Sequence, residues 1–90
     1  MKKYLIEREI PGVHKLNGEE LKGAAATSNA ALAQLAPKVQ WVQSFVTPDK
    51  TFCLYLAENE AAVREHAKLS GFPANRITEV TGVIDPTTAG

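Results

Sequence analysis

The sequence predicts an α+β domain in which two helices cover one face of a four-stranded antiparallel sheet. Segments with strand-like alternation and segments with helical periodicity follow one another in the order β-α-β-β-α-β. Only a tight turn separates the two middle strands, so they form an antiparallel hairpin. With 90 residues, 44% of them apolar, the chain is long enough for one two-layer core and too short for two.

The first strand is predicted over Lys3–Glu9. Tyr4, Ile6 and Arg8 point to one side of this segment, and the residues between them point to the other. The following Pro-Gly pair ends the strand, because proline removes a backbone donor and glycine permits a turn.

The first helix begins at Asn17 and ends before Pro37. The Asn17 side chain can accept from the free amides of the first turn, while Glu20 reaches back in a capping box. Small and aliphatic residues recur along it every three or four positions and form one narrow face: Leu21, Ala25, Ser28, Leu32 and Leu35.

The second strand is predicted over Val39–Thr47 and the third over Thr51–Ala57, with a turn at Pro48–Lys50. A second helix follows, with Asn59 as its cap and its end near Leu69. Gly71 then supplies a left-handed residue that stops it.

The fourth strand is predicted over Ile77–Asp85, and residues 86–90 are expected to be a loose tail. This order of elements is the split unit of the ferredoxin-like fold. We therefore expect a single ferredoxin-like domain over residues 1–90 with the strand order 4-1-3-2.

Composition excludes several classes of protein. Ten Lys and Arg residues balance ten Asp and Glu residues, so no basic excess is available for nucleic acid. One cysteine cannot form an internal disulfide, and no apolar run approaches the roughly 20 residues of a membrane span. The charged residues after Leu5-Ile6 interrupt any signal-peptide core. We expect a cytoplasmic protein that binds neither nucleic acid nor membrane.

The alternation of each strand divides the sheet residues between a helix side and an open face. The helix side is expected to hold Tyr4, Ile6, Val42, Val46, Phe52, Leu54, Leu56, Val80 and Ile84. The open face is expected to hold Leu5, Glu7, Glu9, Trp41, Gln43, Phe45, Cys53, Tyr55, Ile77, Glu79, Thr81 and Val83. This face carries too much apolar surface for water, which predicts a homodimer of the dimeric α/β-barrel type, with two open faces closed on each other.

Such a dimer would hold acidic side chains in a partly dry cleft, where they must be paired, protonated or bound to a cation. A thiolate, an imidazole and carboxylates form a ligand set suited to nickel, zinc or copper. The candidate ligands are Glu7, Glu9, Cys53, His66 and Glu79, with His14 as a peripheral candidate and with Trp41, Phe45 and Tyr55 lining the cleft.

Each candidate also has a plainer interpretation. Cys53 in a strand can be a small buried hydrophobic residue, and His66 can hydrogen-bond the turn that follows its helix. Glu7, Glu9 and Glu79 can form cross-strand ion pairs, for which Arg76 is available.

Four segments of the sequence resemble a small bacterial family of nickel-binding or nickel-responsive proteins, formerly described as a domain of unknown function. They are EREIPG at Glu7–Gly12, NEAAVREHA at Asn59–Ala67, HAKLSGFPANRITEV at His66–Val80 and VIDPTT at Val83–Thr88. The resemblance implies a ferredoxin-like homodimer that binds nickel in the cytoplasm. It does not itself assign the ligands.

Three functions compete at this stage. The first is a non-enzymatic nickel-binding homodimer. The second is a cofactor-independent enzyme of the monooxygenase or isomerase type, which would act on an apolar small molecule with a histidine or carboxylate as acid or base. The third is an interaction module whose open face recruits another protein. The fold accommodates all three, and the resemblance favours the first.

Overall fold

The computed structural model describes all of residues 1–90. A four-stranded antiparallel sheet has the order β2-β3-β1-β4, which confirms the predicted ferredoxin-like fold. Its elements are β1 (Lys2–Glu9), α1 (Gly18–Leu35), β2 (Val39–Val46), β3 (Lys50–Ala57), α2 (Glu60–Ser70) and β4 (Arg76–Val80). Short 3-10 turns cover Val13–Lys15 and Pro86–Ala89. None of the helices is long and apolar enough to span a lipid bilayer.

Both helices begin at the residues that the sequence predicts. The Glu20 amide donates to Asn17 Oδ1 at 2.9 Å, and the Asn17 amide donates to Glu20 Oε1 at 3.1 Å, so the capping box is complete. The Ala62 amide donates to Asn59 Oδ1 at 2.9 Å at the start of α2. Gly71 follows α2 with a φ of 76°, the left-handed conformation expected there.

The predicted extent of the fourth strand is wrong at its far end. β4 pairs with β1 from Glu7↔Arg76 to Lys3↔Val80, and β1 extends only one residue further, to Lys2. Residues 82–85 therefore have no strand residue opposite them. Near the end of the chain, Asp85 caps the 3-10 turn at Pro86–Ala89 by accepting from the Thr87 amide at 2.8 Å.

The core lies between the sheet and the two helices. Its buried members are Tyr4, Ile6, Val39, Cys53, Tyr55, Ala57 and Val63. Leu32 and Leu35 of α1 pack against this cluster, in agreement with the predicted helix face.

The predicted face of the third strand is inverted. Tyr4 pairs with Tyr55 and Ile6 pairs with Cys53, and residues directly opposite each other in a sheet share a face. Cys53 and Tyr55 are therefore buried on the helix side. The alternate residues of the strand, Phe52, Leu54 and Leu56, lie on the open face instead.

A β-bulge at Val42 changes the side to which Trp41 points. Trp41 pairs with Tyr55 on the helix side, whereas Phe45 pairs with Phe52 on the open face. Strict alternation places Trp41 and Phe45 together, but the extra residue of the bulge shifts the alternation between them. The prediction is confirmed for Phe45 and wrong for Trp41.

The edge strand β4 shows the same kind of difference. Glu79 pairs with Tyr4 and Ile77 pairs with Ile6, so both belong to the helix side, while Val80 lies on the open face with Lys3. Glu7 and Glu79 therefore lie on opposite faces. Predicted sheet residues that lie elsewhere are Val42, which is in the bulge, and Thr81, Val83 and Ile84, which follow β4 and are exposed.

Candidate functional site

The structure does not bring the five predicted metal ligands together. Glu7 and Glu9 lie on the open face, Cys53 and His66 are buried on the helix side, and Glu79 lies on the helix side at the sheet edge. No group of three or more His, Cys, Asp or Glu side chains within the chain is placed to hold a metal ion. A metal site made by one chain alone is absent from this arrangement.

Two of the three acidic candidates take part in ion pairs. Glu7 lies 3.7 Å from Lys50 Nζ and 3.9 Å from Arg76 Nε. Glu79 lies 3.7 Å from Lys2 Nζ. These pairs agree with the plainer cross-strand interpretation of the two glutamates. Glu9 forms no ion pair and is exposed.

His14 is held in a geometry that suits a metal ligand. It is exposed, and its Nδ1 lies 3.1 Å from the Pro48 carbonyl oxygen. Because a carbonyl oxygen can only accept, Nδ1 carries the hydrogen in this bond. In the neutral ring Nε2 then keeps its lone pair and faces no partner in the chain. Ligating histidines commonly have their other ring nitrogen bonded to a backbone carbonyl in this way.

The buried candidates belong to a different site, centred on Arg8. This arginine is only 2% exposed. Its Nη1 donates to the Pro73 carbonyl at 2.8 Å and more weakly to the Phe72 carbonyl at 3.4 Å. Its Nη2 is buried without a hydrogen-bond partner.

Tyr55, Ser28 and His66 complete this buried polar cluster. The Tyr55 and His66 ring centroids are 5.0 Å apart, and the Arg8 guanidinium carbon lies 6.0 Å from the Tyr55 centroid. Ser28 Oγ lies 3.2 Å from His66 Nε2. His66 Nδ1 is buried and unpartnered.

Burial controls the ionisation of this cluster. It raises the pKa of the Tyr55 phenol, although the positive charge of Arg8 and the Ser28 hydroxyl oppose the shift. Burial lowers the pKa of His66, and the Arg8 charge lowers it further. Tyr55 and His66 are therefore both neutral near pH 7, which leaves Arg8 as the charged member.

An apolar cavity of about 410 Å³ lies beside Arg8, between α1 and the helix side of the sheet. Most of its lining residues are hydrophobic. The walls include Trp41, Tyr55 and Phe72, the small residues Ala24 and Ala25 of α1, and Cys53. The volume lies within the range of roughly 300–1,000 Å³ that is typical of small-molecule sites.

This site was not among the sites predicted from the sequence, although the sequence contains one signal for it. Arg8 alternates with Tyr4 and Ile6 in β1, so it was expected on the same side as two core residues. An arginine on a buried strand face needs a partner, and that requirement points to a site. Tyr55 and Cys53 were not predicted as part of this site, because the alternation of β3 was assigned to the wrong faces and placed both residues on the open side.

Comparison with known proteins places the chain among nickel-responsive proteins. A family model described as "Nickel responsive protein SCO4226-like" matches residues 4–80. The fold matches the crystal structure of SCO4226 from Streptomyces coelicolor A3(2) with a TM-score of 0.77 and 19% sequence identity, over 91% of this chain and 99% of that chain. No curated protein matches the sequence. At this identity the structural match establishes the fold alone.

Proposed function

Since the chain belongs to the SCO4226-like family of nickel-responsive proteins, we propose that it binds nickel as a homodimer, with ligands from both copies. The match to that family over residues 4–80 is the observation that carries the proposal. The protein has no enzymatic role in this proposal.

The need for a second copy comes from the number of ligands. Protein sites for transition metals supply at least three protein ligands in most cases. No such group exists within one chain. Two copies related by a two-fold axis double every ligand that lies near the axis, so two donors per chain are enough.

His14 and Glu9 are the proposed ligands of each copy. Imidazole suits nickel, and the Pro48 carbonyl holds the His14 ring with Nε2 free. Glu9 is exposed and unpaired. The Ile10 amide donates to the Asp49 carbonyl at 2.9 Å, which fixes the segment between these two residues against the β2–β3 turn.

The other predicted ligands are less available. Glu7 and Glu79 would have to give up their ion pairs with Lys50, Arg76 and Lys2. Cys53 and His66, at 5% and 0% exposure, would need the core to open. We therefore rank these four behind His14 and Glu9.

The open face supports the homodimer. Leu5 lies opposite Leu54, and Phe45 lies opposite Phe52, so apolar side chains continue across three strands. Phe45 is 53% exposed. A contiguous apolar surface of this kind is typical of an interface, and we propose that a second copy covers it.

Calorimetric titration of the reduced, metal-free protein with Ni²⁺ tests the proposal, with Zn²⁺ and Cu²⁺ as competing metals. We expect saturable uptake at a fixed stoichiometry per dimer. His14→Ala and Glu9→Gln should each weaken binding about tenfold or more, equivalent to about 1.4 kcal/mol. Cys53→Ser and His66→Gln should leave nickel affinity unchanged.

Two results would contradict this proposal. Wild-type protein that takes up no stoichiometric nickel would remove the function itself. Loss of uptake in Cys53→Ser or His66→Gln, with normal uptake in His14→Ala, would instead place the metal in the interior and overturn the ligand assignment.

A further inference from the structure

The buried arginine beside the apolar cavity has no counter-charge within the chain. The four ion pairs of the structure involve Lys2, Lys50, Arg64 and Arg76, and none includes Arg8. Moving a charged group out of water costs several kcal/mol, and two backbone carbonyls supply only part of what the guanidinium loses. Arg8 is 2% exposed and its Nη2 has no partner, so this side chain can donate a hydrogen bond to an acceptor from outside the chain.

Because an arginine without a counter-charge lies beside an apolar cavity, we propose that the cavity binds a small monocarboxylate with an apolar body. The carboxylate would pair with Arg8. This site shares Glu9 with the proposed nickel site, but it does not require bound metal. Arg8 is among the residues that line the cavity, so a ligand within it would lie next to this side chain. Nη1 already donates to the Phe72 and Pro73 carbonyls, and Nη2 is a buried donor without a partner.

The chemistry of the lining restricts the ligand class. One guanidinium matches one negative charge, and charge-assisted bonds between arginine and carboxylate are among the strongest hydrogen bonds in proteins. The other polar lining groups are the hydroxyls of Ser28, Thr51 and Tyr55, the Cys53 thiol and the exposed Glu9. A phosphate or a dicarboxylate would bring more negative charge than one guanidinium can match.

The apolar walls define the rest of the ligand. Trp41 and Phe72 offer aromatic faces, while Ala24 and Ala25 leave room because their side chains are short. The Trp41 indole Nε1 already donates to Ser44 Oγ at 2.9 Å, so it does not need a hydrogen-bond acceptor from the ligand. An aliphatic or aromatic body would bury its apolar surface against these walls, which favours binding.

Binding of octanoate and of 1-octanol to the full chain tests this site. The two probes have the same carbon chain and differ in the charged group. Both are titrated in the presence of EDTA, so that metal plays no part, with calorimetry and Trp41 fluorescence as readouts. Because Trp41 lines the cavity and is the only tryptophan, its emission reports directly on occupancy. We expect one octanoate per chain, bound about tenfold or more tighter than 1-octanol.

Three variants distinguish the effect of the Arg8 charge from the effect of the cavity space. Arg8→Met should remove the preference for octanoate over 1-octanol. Ala25→Phe should abolish binding of both probes, because the new ring fills the space, whereas Ala26→Phe on the exposed side of α1 should bind as wild type. If Arg8→Met does not fold, the affinities of wild type for the two probes still test the role of the charge. The two phenylalanine variants still test whether the probes bind in the cavity.

Equal affinity of wild type for the two probes would overturn the role of Arg8. Absence of binding by both probes, or binding that Ala25→Phe leaves intact, would overturn the site. Because every titration contains EDTA, these outcomes are independent of whether the protein binds nickel.

Discussion

His66 Nε2 lies 3.2 Å from Ser28 Oγ, and this contact joins α2 to α1 in the interior of the molecule. Both residues are buried, with exposures of 0% and 4%. The other ring nitrogen, Nδ1, has no partner. A proton added to this ring would therefore bring a charge into the core next to the charged Arg8, with only one hydroxyl to stabilise it.

The first prediction concerns pH. The pKa of His66 is lowered in the folded protein, so below the ordinary value of 6.5 the unfolded chain binds a proton that the native state does not. The free energy of unfolding should fall as the pH drops from 7 to 5, by at most about 1.4 kcal/mol per pH unit from this residue. Chemical denaturation at a series of pH values measures the slope.

The matched variants for this experiment are His66→Gln and His14→Gln. Replacement of the buried histidine should flatten the slope between pH 5 and 7, while replacement of the exposed one should leave it as in wild type. An unchanged slope in His66→Gln would mean that another group controls the acid sensitivity.

Local features of the fold were predictable from the sequence. The capping box of Asn17 and Glu20, the cap at Asn59 and the left-handed Gly71 depend on residues three or four positions apart. Patterns at such distances are visible in the chain itself. The predicted strand order is confirmed for a related reason, because the order of elements leaves few ways to connect them.

The side chains of the candidate site were not predictable in the same way. Both faces of β3 are apolar enough to be buried, so its alternation does not decide which residues turn inward. Its pairing with Tyr4 and Ile6 of β1 decides, and that register is a long-range property. The bulge at Val42 likewise leaves no mark in the composition of β2.

The second prediction compares two glycines with opposite roles. Gly71 has a φ of 76°, and a Cβ there would meet no atom within 4 Å, so the cost of Gly71→Ala is conformational alone. We expect a loss of about 1 kcal/mol in the free energy of unfolding. Gly23 lies inside α1, also with free space, and Gly23→Ala should instead add about 0.5–1 kcal/mol.

Thermal and urea denaturation of the two variants measure this difference. The opposite signs form the internal control, since the same side chain is added at each position. A stabilised Gly71→Ala variant would show that the end of α2 does not require the left-handed conformation.

The third prediction concerns Cys53, which is the only cysteine and is 5% exposed. A thiol this deeply buried can be reached only through the cavity beside Arg8 or when the core opens, so a thiol reagent should label native protein about a hundredfold or more slowly than the unfolded chain. The double variant Cys53→Ser, Asn29→Cys provides an exposed thiol on α1 and should react at the unfolded rate. Rapid labelling of native wild type would contradict the burial of Cys53 between α1 and the sheet.

The fourth prediction tests the proposed homodimer at the centre of the open face. Leu54 lies between Leu5 of β1 and Gln43 of β2, so a lysine there would bring two like charges into an interface between two copies. Leu54→Lys should weaken dimerisation about a hundredfold or more, which corresponds to about 2.7 kcal/mol. Leu69→Lys on α2, where the leucine is 40% exposed, should dimerise as wild type. Sedimentation equilibrium measures the dissociation constants, and circular dichroism checks that both variants fold. A wild-type chain that remains monomeric across the concentration range would contradict the homodimer and leave the apolar open face for a different partner.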